Sequence, residues 1–157
     1  MNYKIKVGVI ITDNNDRVLL IKEKTEKTLI PLWNIVKGTY GDFRQESIFE
    51  AAIREAKEEA GVDIELTGLL GCYVAQKNDE SWTQFTFTAT IVNGSPFLAN
   101  SDDQLERNEA ISELRWFTRS ELKNIRSNEF LSKRIFLIIN DWLNNEKYDL
   151  QAIKQID

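Results

Sequence analysis

Apolar and polar positions change period several times along the chain, and each change marks an element. Lys4 to Thr12 alternates and is rich in Val and Ile, which predicts a strand. The cluster Asp13-Asn14-Asn15-Asp16 predicts a turn, and Val18–Lys22 a second strand that completes a hairpin. Glu23–Thr28 is charged and reads as a loop. Leu29–Val36 is apolar, carries Pro31 and Trp33, and leads into a glycine-bearing loop over Lys37–Gln45. From Ser47 to Ala60 the period is helical. Ile48, Phe49, Ala52, Ile53, Ala56 and Ala60 share one stripe, and Gly61 suits a left-handed helix end. Ala51, Glu55, Glu58 and Glu59 form an adjacent face, with Glu50, Arg54 and Lys57 expected to point elsewhere.

Two longer alternating runs follow, Ile64–Gln76 and Trp82–Ile91, joined by Lys77–Ser81. Asn93-Gly94-Ser95-Pro96 predicts a turn. Asn100–Asn108 is polar and reads as a mobile loop, and Ile111–Phe117 as a short strand. Ser120 is expected to cap a brief helix, and Asn128 to precede a longer one over Glu129–Asn144. The stripe of that helix, Leu131, Ile135, Ile138, Ile139 and Trp142, is assigned to core packing or to a homodimer contact. No repeat or linker interrupts the pattern. The order strand–strand–loop–helix–strands–helix predicts an α+β sandwich, a mixed sheet with helices on its faces, in one domain over residues 1–157.

Composition narrows the chemistry. The 157 residues suffice for one domain with a sizeable core. With 20 Lys and Arg against 25 Asp and Glu, the net charge is −5. An acidic chain without a basic run is a poor nucleic-acid binder. The complete lack of histidine excludes a Ser-His-Asp triad, His-ligated zinc and imidazole acid–base chemistry. Cys72 is the single cysteine, so no internal disulfide forms; its apolar neighbours predict a buried, inert thiol. No segment is apolar and long enough to span a bilayer and the N-terminus lacks a signal-peptide pattern, so a cytoplasmic location is expected.

The most informative stretch is the predicted helix with its flanks, GTYGDFRQESIFEAAIREAKEEAGV at residues 38–62. Glu55, Glu58 and Glu59 stand at i, i+3 and i+4 and crowd one helical face. Like charges so close call for a cationic neutraliser. A hard divalent ion such as Mg²⁺ suits them, because it takes oxygen ligands and keeps positions open for phosphate. The stretch therefore reads as a metal-dependent phosphate-handling site, even from the residues alone.

The same residues resemble the Nudix box. Glu46, seven intervening residues, and then Arg54-Glu55-Ala56-Lys57-Glu58-Glu59-Ala60-Gly61-Val62 fit its pattern from Glu46 onward. The front departs from it: the family glycine falls at Tyr40, with Gly38 two positions earlier and Gly41 one later, which reads as a two-residue insertion before Glu46.

The resemblance implies a Nudix-type α/β/α sandwich. It implies a MutT-like hydrolase that uses Mg²⁺ or Mn²⁺ to cleave a phosphoanhydride bond in a nucleoside di- or triphosphate or a nucleoside diphosphate derivative. It assigns Glu55, Glu58 and Glu59 as metal ligands, with the Gly38 carbonyl as a further candidate. Arg54 would hold a carboxylate in place within the catalytic group, and Glu46 would support the start of the helix. The general base is left between Glu55 and the late Glu109, with Glu113 as a nearer-strand alternative. Trp33, Tyr73, Trp82, Phe85 and Phe87 are candidates to stack on a base, although aromatic residues usually pack inside. Lys37, Lys77 and Arg44 are candidates to meet phosphate. The tail Tyr148-Asp149-Leu150-x-x-Ile153 resembles a Nudix subgroup of broad nucleoside di- and triphosphate phosphatases. The competing reading is a Nudix-like binding domain without turnover. Such domains typically lose the box carboxylates, which this chain retains. An isomerase on the same fold would need cysteine and histidine in the site.

Overall fold

The first strand organises the molecule. In the computed structural model, which describes residues 1–41 and 45–156, β1 (Asn2–Thr12) is a long strand with Val7, Val9, Ile10 and Ile11 fully buried. Its pleat sends Val7, Val9 and Ile11 to one hydrophobic cluster and Ile10 to another on the opposite face. One edge of β1 runs parallel to β6 (Glu80–Asn93), from Asn2 opposite Glu80 to Thr12 opposite Thr90. The other edge pairs antiparallel with β4 (Val36–Thr39) along Lys6–Val9, and with β2 (Val18–Glu23) at Thr12 opposite Val18. β5 (Asp63–Lys77) forms an antiparallel hairpin with β6. β2 pairs antiparallel with both β3 (Leu32–Asn34) and β7 (Ile111–Phe117). One parallel pair among antiparallel ones makes the sheet mixed, as the sequence predicts.

Helices cover both faces. α1 (Ile48–Ala60) lays Ile48, Ala51, Ala52, Ala56 and Ala60 on the face that carries Val7, Val9 and Phe87. α4 (Lys133–Leu143) buries Ile135, Ile138, Ile139 and Trp142 on the face that carries Ile10, Leu20 and Leu70, beside Leu122 of α3 (Arg119–Asn124). The stripe of the last helix is thus core. The result is the α/β/α sandwich, and among the described residues no helix is long and apolar enough to cross a membrane.

Several boundaries differ from the sequence reading, each for a local reason. Residues 100–108 are not a plain loop: Ser101–Glu106 forms a helix, α2, whose N-cap Asn100 accepts a bond from the Asp103 N–H. Asp102 and Asp103 in its first turn suit the helix dipole. The brief helix is capped by Thr118 rather than Ser120, in a reciprocal box with Glu121. α4 starts at Lys133 under the cap of Ser132. Before it, Ser127–Glu129 makes a single 3-10 turn, and the Leu131 N–H is taken by the Trp33 carbonyl at 2.8 Å. The β5–β6 connection shrinks to Asn78-Asp79, with Asn78 in a left-handed conformation (φ 55°). Ile53, assigned to the buried stripe, is 38% exposed, because the small alanines bring the other side of α1 against the sheet. Cys72 is exposed on β5 rather than buried. Partial desolvation still pushes its thiol pKa up, away from the thiolate form.

Candidate functional site

α1 is fixed at both ends, and that fixes its carboxylates. Ser47 and Glu50 form a capping box at the start. At the end Gly61 adopts φ 71°, and the ring of Phe97 lies against it where a side chain would otherwise stand. Glu55 and Glu59, one turn apart, sit beside the buried alanines and are themselves 7% exposed. They face β4. Glu59 Oε2 accepts from the Lys37 N–H at 3.4 Å. The Glu55 carboxyl group lies so close to Gly38 that a Cβ there would overlap its carbon and both oxygens.

Arg54 belongs to this group and does not point elsewhere. Its guanidinium makes a two-bond contact with Glu46 (Nε to Oε2 3.0 Å, Nη2 to Oε1 2.9 Å). Nη1 donates to Glu55 Oε1 at 2.7 Å and to Glu58 Oε2 at 3.3 Å, and Nη2 reaches the Thr39 carbonyl at 3.3 Å. The planar fork meets carboxylates of the loop and of the helix at once. The cation demanded by the crowded acidic face is therefore supplied in part by the chain itself.

A second arginine brings in the late carboxylate. Arg107, the C-cap of α2, donates through Nη2 to the Glu58 carbonyl at 2.9 Å and through Nε to Glu109 Oε1 at 3.0 Å. Glu109 is thereby held over α1, with its Oε2 buried and lacking a hydrogen-bond partner among the described residues. Glu55, Glu58, Glu59 and Glu109 border one cavity of about 510 Å³, together with Lys6, Glu23, Lys37, Gly38, Arg54 and Arg107.

The electrostatics follow from this packing. Desolvation pushes the Glu55 pKa up to about 7, against the pull of Arg54 and with a further push from Glu58 and Glu109. Glu59 is raised well above the ordinary carboxylate value by burial and then by Glu23 and Glu55. Burial also raises Glu109, opposed by Arg107. Contact with Glu46 pushes the Arg54 pKa up.

Among the described residues no group of three carboxylates is arranged to hold a metal ion as it stands; Arg54 bridges two of the three helical ones. The donor chemistry nevertheless fits a hard divalent cation. The donors are carboxylate oxygens, burial makes the charged form of two of them costly without a cation beside it, Glu109 Oε2 has no partner among the described residues, and Gly38 clears the approach to Glu55. Gly38→Ala should displace the Glu55 carboxyl group. The expected result is at least a tenfold loss of whatever metal-dependent activity the wild type has, with a near-normal circular-dichroism spectrum; unchanged activity would contradict the contact.

Of the residues singled out from sequence, Arg54, Glu55, Glu58, Glu59, Glu109, Gly38 and Lys37 all border the cavity. Glu46 does too, bound to Arg54. Trp33 and Trp82 are not among its lining residues. Trp33 is buried edge-on to Phe117 at 4.8 Å, and Trp82 carries the Arg134 guanidinium 4.0 Å above its ring. Tyr73 donates its hydroxyl to Asp141 at 2.8 Å, and Phe87 is fully buried. Glu113 lies exposed on β7 opposite Lys22, and Lys77 ends β5 beside the hairpin turn. Arg44 lies outside the described residues. Lys6, Glu23 and Arg107 also line the cavity. Lys6 and Glu23 reach the cavity only through strand pairing. Arg107 had one local signal, an arginine two positions before the suspected Glu109.

Comparison with known proteins gives a consistent result. The family model described as NUDIX domain matches residues 2–136. A curated relative, 8-oxo-dGDP phosphatase NUDT18 of Danio rerio, is 29% identical over 127 residues, which cover 80% of this chain and 35% of that protein. Nudix hydrolase 8 of Arabidopsis thaliana is 31% identical over 70 residues, 44% of this chain and 18% of that protein. The chain spans about half or less of the length of the curated relatives it matches. Among solved structures, a NUDIX hydrolase from Nitrosomonas europaea superposes with a TM-score of 0.79 at 21% identity, covering 99% of this chain and 98% of that one, a likeness of fold.

Proposed function

The chain belongs to the NUDIX family, and from that premise we propose that it is a metal-dependent hydrolase of a phosphoanhydride bond in a nucleoside di- or triphosphate or a nucleoside diphosphate derivative. The observation that carries the reading is the cavity in which Glu55, Glu58, Glu59 and Glu109 lie beside Lys6, Lys37 and Arg107. Acidic and basic groups lining one opening suit a substrate whose phosphates are met both by lysine and by cations held on carboxylates.

Glu55, Glu58 and Glu59 would hold Mg²⁺ or Mn²⁺, with the Gly38 backbone beside them. When bound, such an ion supplies charge neutralisation for the phosphates and a more acidic water. The remaining work falls to the chain's own groups. Lys37 and Lys6 bind and orient phosphate oxygens. Glu109 Oε2, buried and unpartnered, accepts the proton of the attacking water; its raised pKa brings it nearer the working pH, which suits a general base. Each candidate gives one oxygen to an arginine, Glu55 to Arg54 and Glu109 to Arg107; Glu55 also stands among the residues that would hold the metal, which leaves the proton to Glu109. Arg54 keeps Glu55 and Glu58 from swinging away, and Glu46 keeps Arg54.

The name of the Danio rerio relative supports oxidised guanine nucleotides as members of a test panel. The panel also includes ordinary nucleotides, sugar nucleotides and dinucleotides, each with Mg²⁺, with Mn²⁺ and with a chelator, and its products are identified by mass. At least one compound is expected to be cleaved with metal and left intact with chelator. Glu58→Gln is expected to lower that rate at least tenfold without unfolding the protein. Binding of a panel compound without cleavage would instead favour a sensing domain, and wild-type rates from Glu58→Gln would remove its role as a ligand.

A further inference from the structure

The C-terminal tail bears on the cavity although none of its described residues borders it. Tyr148 exchanges two backbone hydrogen bonds with Leu69 of β5, at 2.7 and 2.9 Å. Asp149 caps a 3-10 turn over Leu150–Ala152, and Leu150 and Ile153 pack against the same cluster that seats α1. The path ends with Gln155 at the start of α1. Its side-chain oxygen accepts from the Ile48 N–H at 2.7 Å, and its amide nitrogen donates to the Tyr40 hydroxyl at 3.3 Å.

The first N–H groups of a helix lack partners within it. In α1 the Glu50 N–H goes to Ser47 Oγ and the Ala51 N–H to the Ser47 carbonyl, while the Ile48 N–H is taken by a residue 107 positions away. One amide group thus clasps the chain at Tyr40 and at Ile48. Glu46 lies between the two clasped points. Its carboxylate holds Arg54 by two bonds, and Arg54 in turn holds Glu55 and Glu58.

We infer that Gln155 is a positioning residue. By joining Tyr40 to Ile48 it keeps Glu46 aligned on Arg54, and so sets the carboxylates of α1 from the far end of the chain. A cap alone would steady the helix. The second bond ties that cap to Tyr40, just past the end of β4. The inference rests on the hydrolase reading for its kinetic consequence but not for its spectroscopic one.

The test compares wild type with Gln155→Ala and Gln155→Glu, all in the full chain. Alanine removes both bonds. Glutamate keeps the acceptor for Ile48, and the Tyr40 hydroxyl can turn to donate to it. Two quantities are read: kcat and KM on the best compound of the panel, and the Nε–Hε resonance of Arg54 in a nitrogen–proton spectrum. Gln155→Ala is expected to lower kcat about fivefold with KM within twofold, and to shift and broaden the Arg54 resonance. Gln155→Glu is expected to retain at least half of kcat and the wild-type resonance. A merely structural contribution would lower the melting temperature and leave Arg54 unmoved. A wild-type resonance in Gln155→Ala overturns the inference whatever the kinetics do. Should no compound be cleaved by the wild type, the hydrolase reading fails and the resonance alone decides the role of Gln155.

Discussion

Arg54→Ala is expected to destabilise the protein by about 3 kcal/mol at pH 8 and to abolish turnover, because it orphans three carboxylates at once. The Arg54 side chain is 20% exposed, while those of Glu46 and Glu55 are 10% and 9% exposed, so little water can replace the guanidinium. Removing one partner of a poorly solvated pair leaves the other charge uncompensated, the costliest way to break it. The loss has a definite pH dependence. Glu55 already titrates at about 7 in the folded chain, above its ordinary value, and Arg54 is the main force holding it down. Without the arginine the folded pKa rises further. The variant should recover stability as the pH falls from 8 towards 5, where Glu55 takes up its proton, and lose most at high pH. Arg54→Lys should recover only part, since an ammonium cannot reproduce the two-bond contact with Glu46. Urea denaturation at pH 8 and pH 5.5 measures both effects; a variant equally stable to wild type at both values would contradict the arginine's role.

Glu59→Gln is expected to do the opposite to stability while removing activity. Glu59 is 7% exposed, and its folded pKa is raised, first by burial and then by Glu23 and Glu55. The sign follows directly. A carboxylate whose folded pKa lies above its unfolded one weakens the fold as the pH rises through that interval, because the unfolded chain gives up the proton more readily. Glutamine keeps the shape and removes the charge. In chelator at pH 8 the variant should therefore melt higher than wild type. Below the unfolded carboxylate range the two should converge. With metal present, its hydrolysis should fall at least about a hundredfold, equivalent to about 2.7 kcal/mol of barrier. Stability gained where function is lost marks a residue kept for its charge. A lower melting point in chelator would show that the carboxylate is instead held by contacts the protein needs.

The local signals were the legible part. α1 was readable to within one residue because its cap, its alanine stripe and Gly61 all lie inside one stretch of chain. The glutamates could be placed on its face from spacing alone. Arg54 could not, because a long side chain leaves the direction set by its Cα, and Glu46 and Thr39 draw it over the acidic face. The resemblance to the Nudix pattern supplied Glu46 and pointed to Glu109, whereas Arg107, which holds Glu109 against α1, sits at the end of a short polar helix that reads as loop. Lys6 and Glu23 reach the cavity because β1 and β2 pair with β4 and β3, contacts that no local pattern encodes. The parallel pairing of β1 with β6 joins residues 78 positions apart in register, and only the folded sheet reveals it. The aromatic residues carried the least information. Trp33 and Phe87 serve the core, as aromatic residues usually do.

The carboxylates of α1 are proposed here as a divalent-cation site that shares its oxygens with Arg54. Titration of Mn²⁺ into wild type and Glu59→Gln, followed by electron paramagnetic resonance of the free ion, tests it without any substrate. Saturable uptake by the wild type, lost or weakened at least tenfold in the variant, is the expected result. Equal uptake by both proteins, or none by the wild type even with a nonhydrolysable nucleotide analogue present, would contradict it.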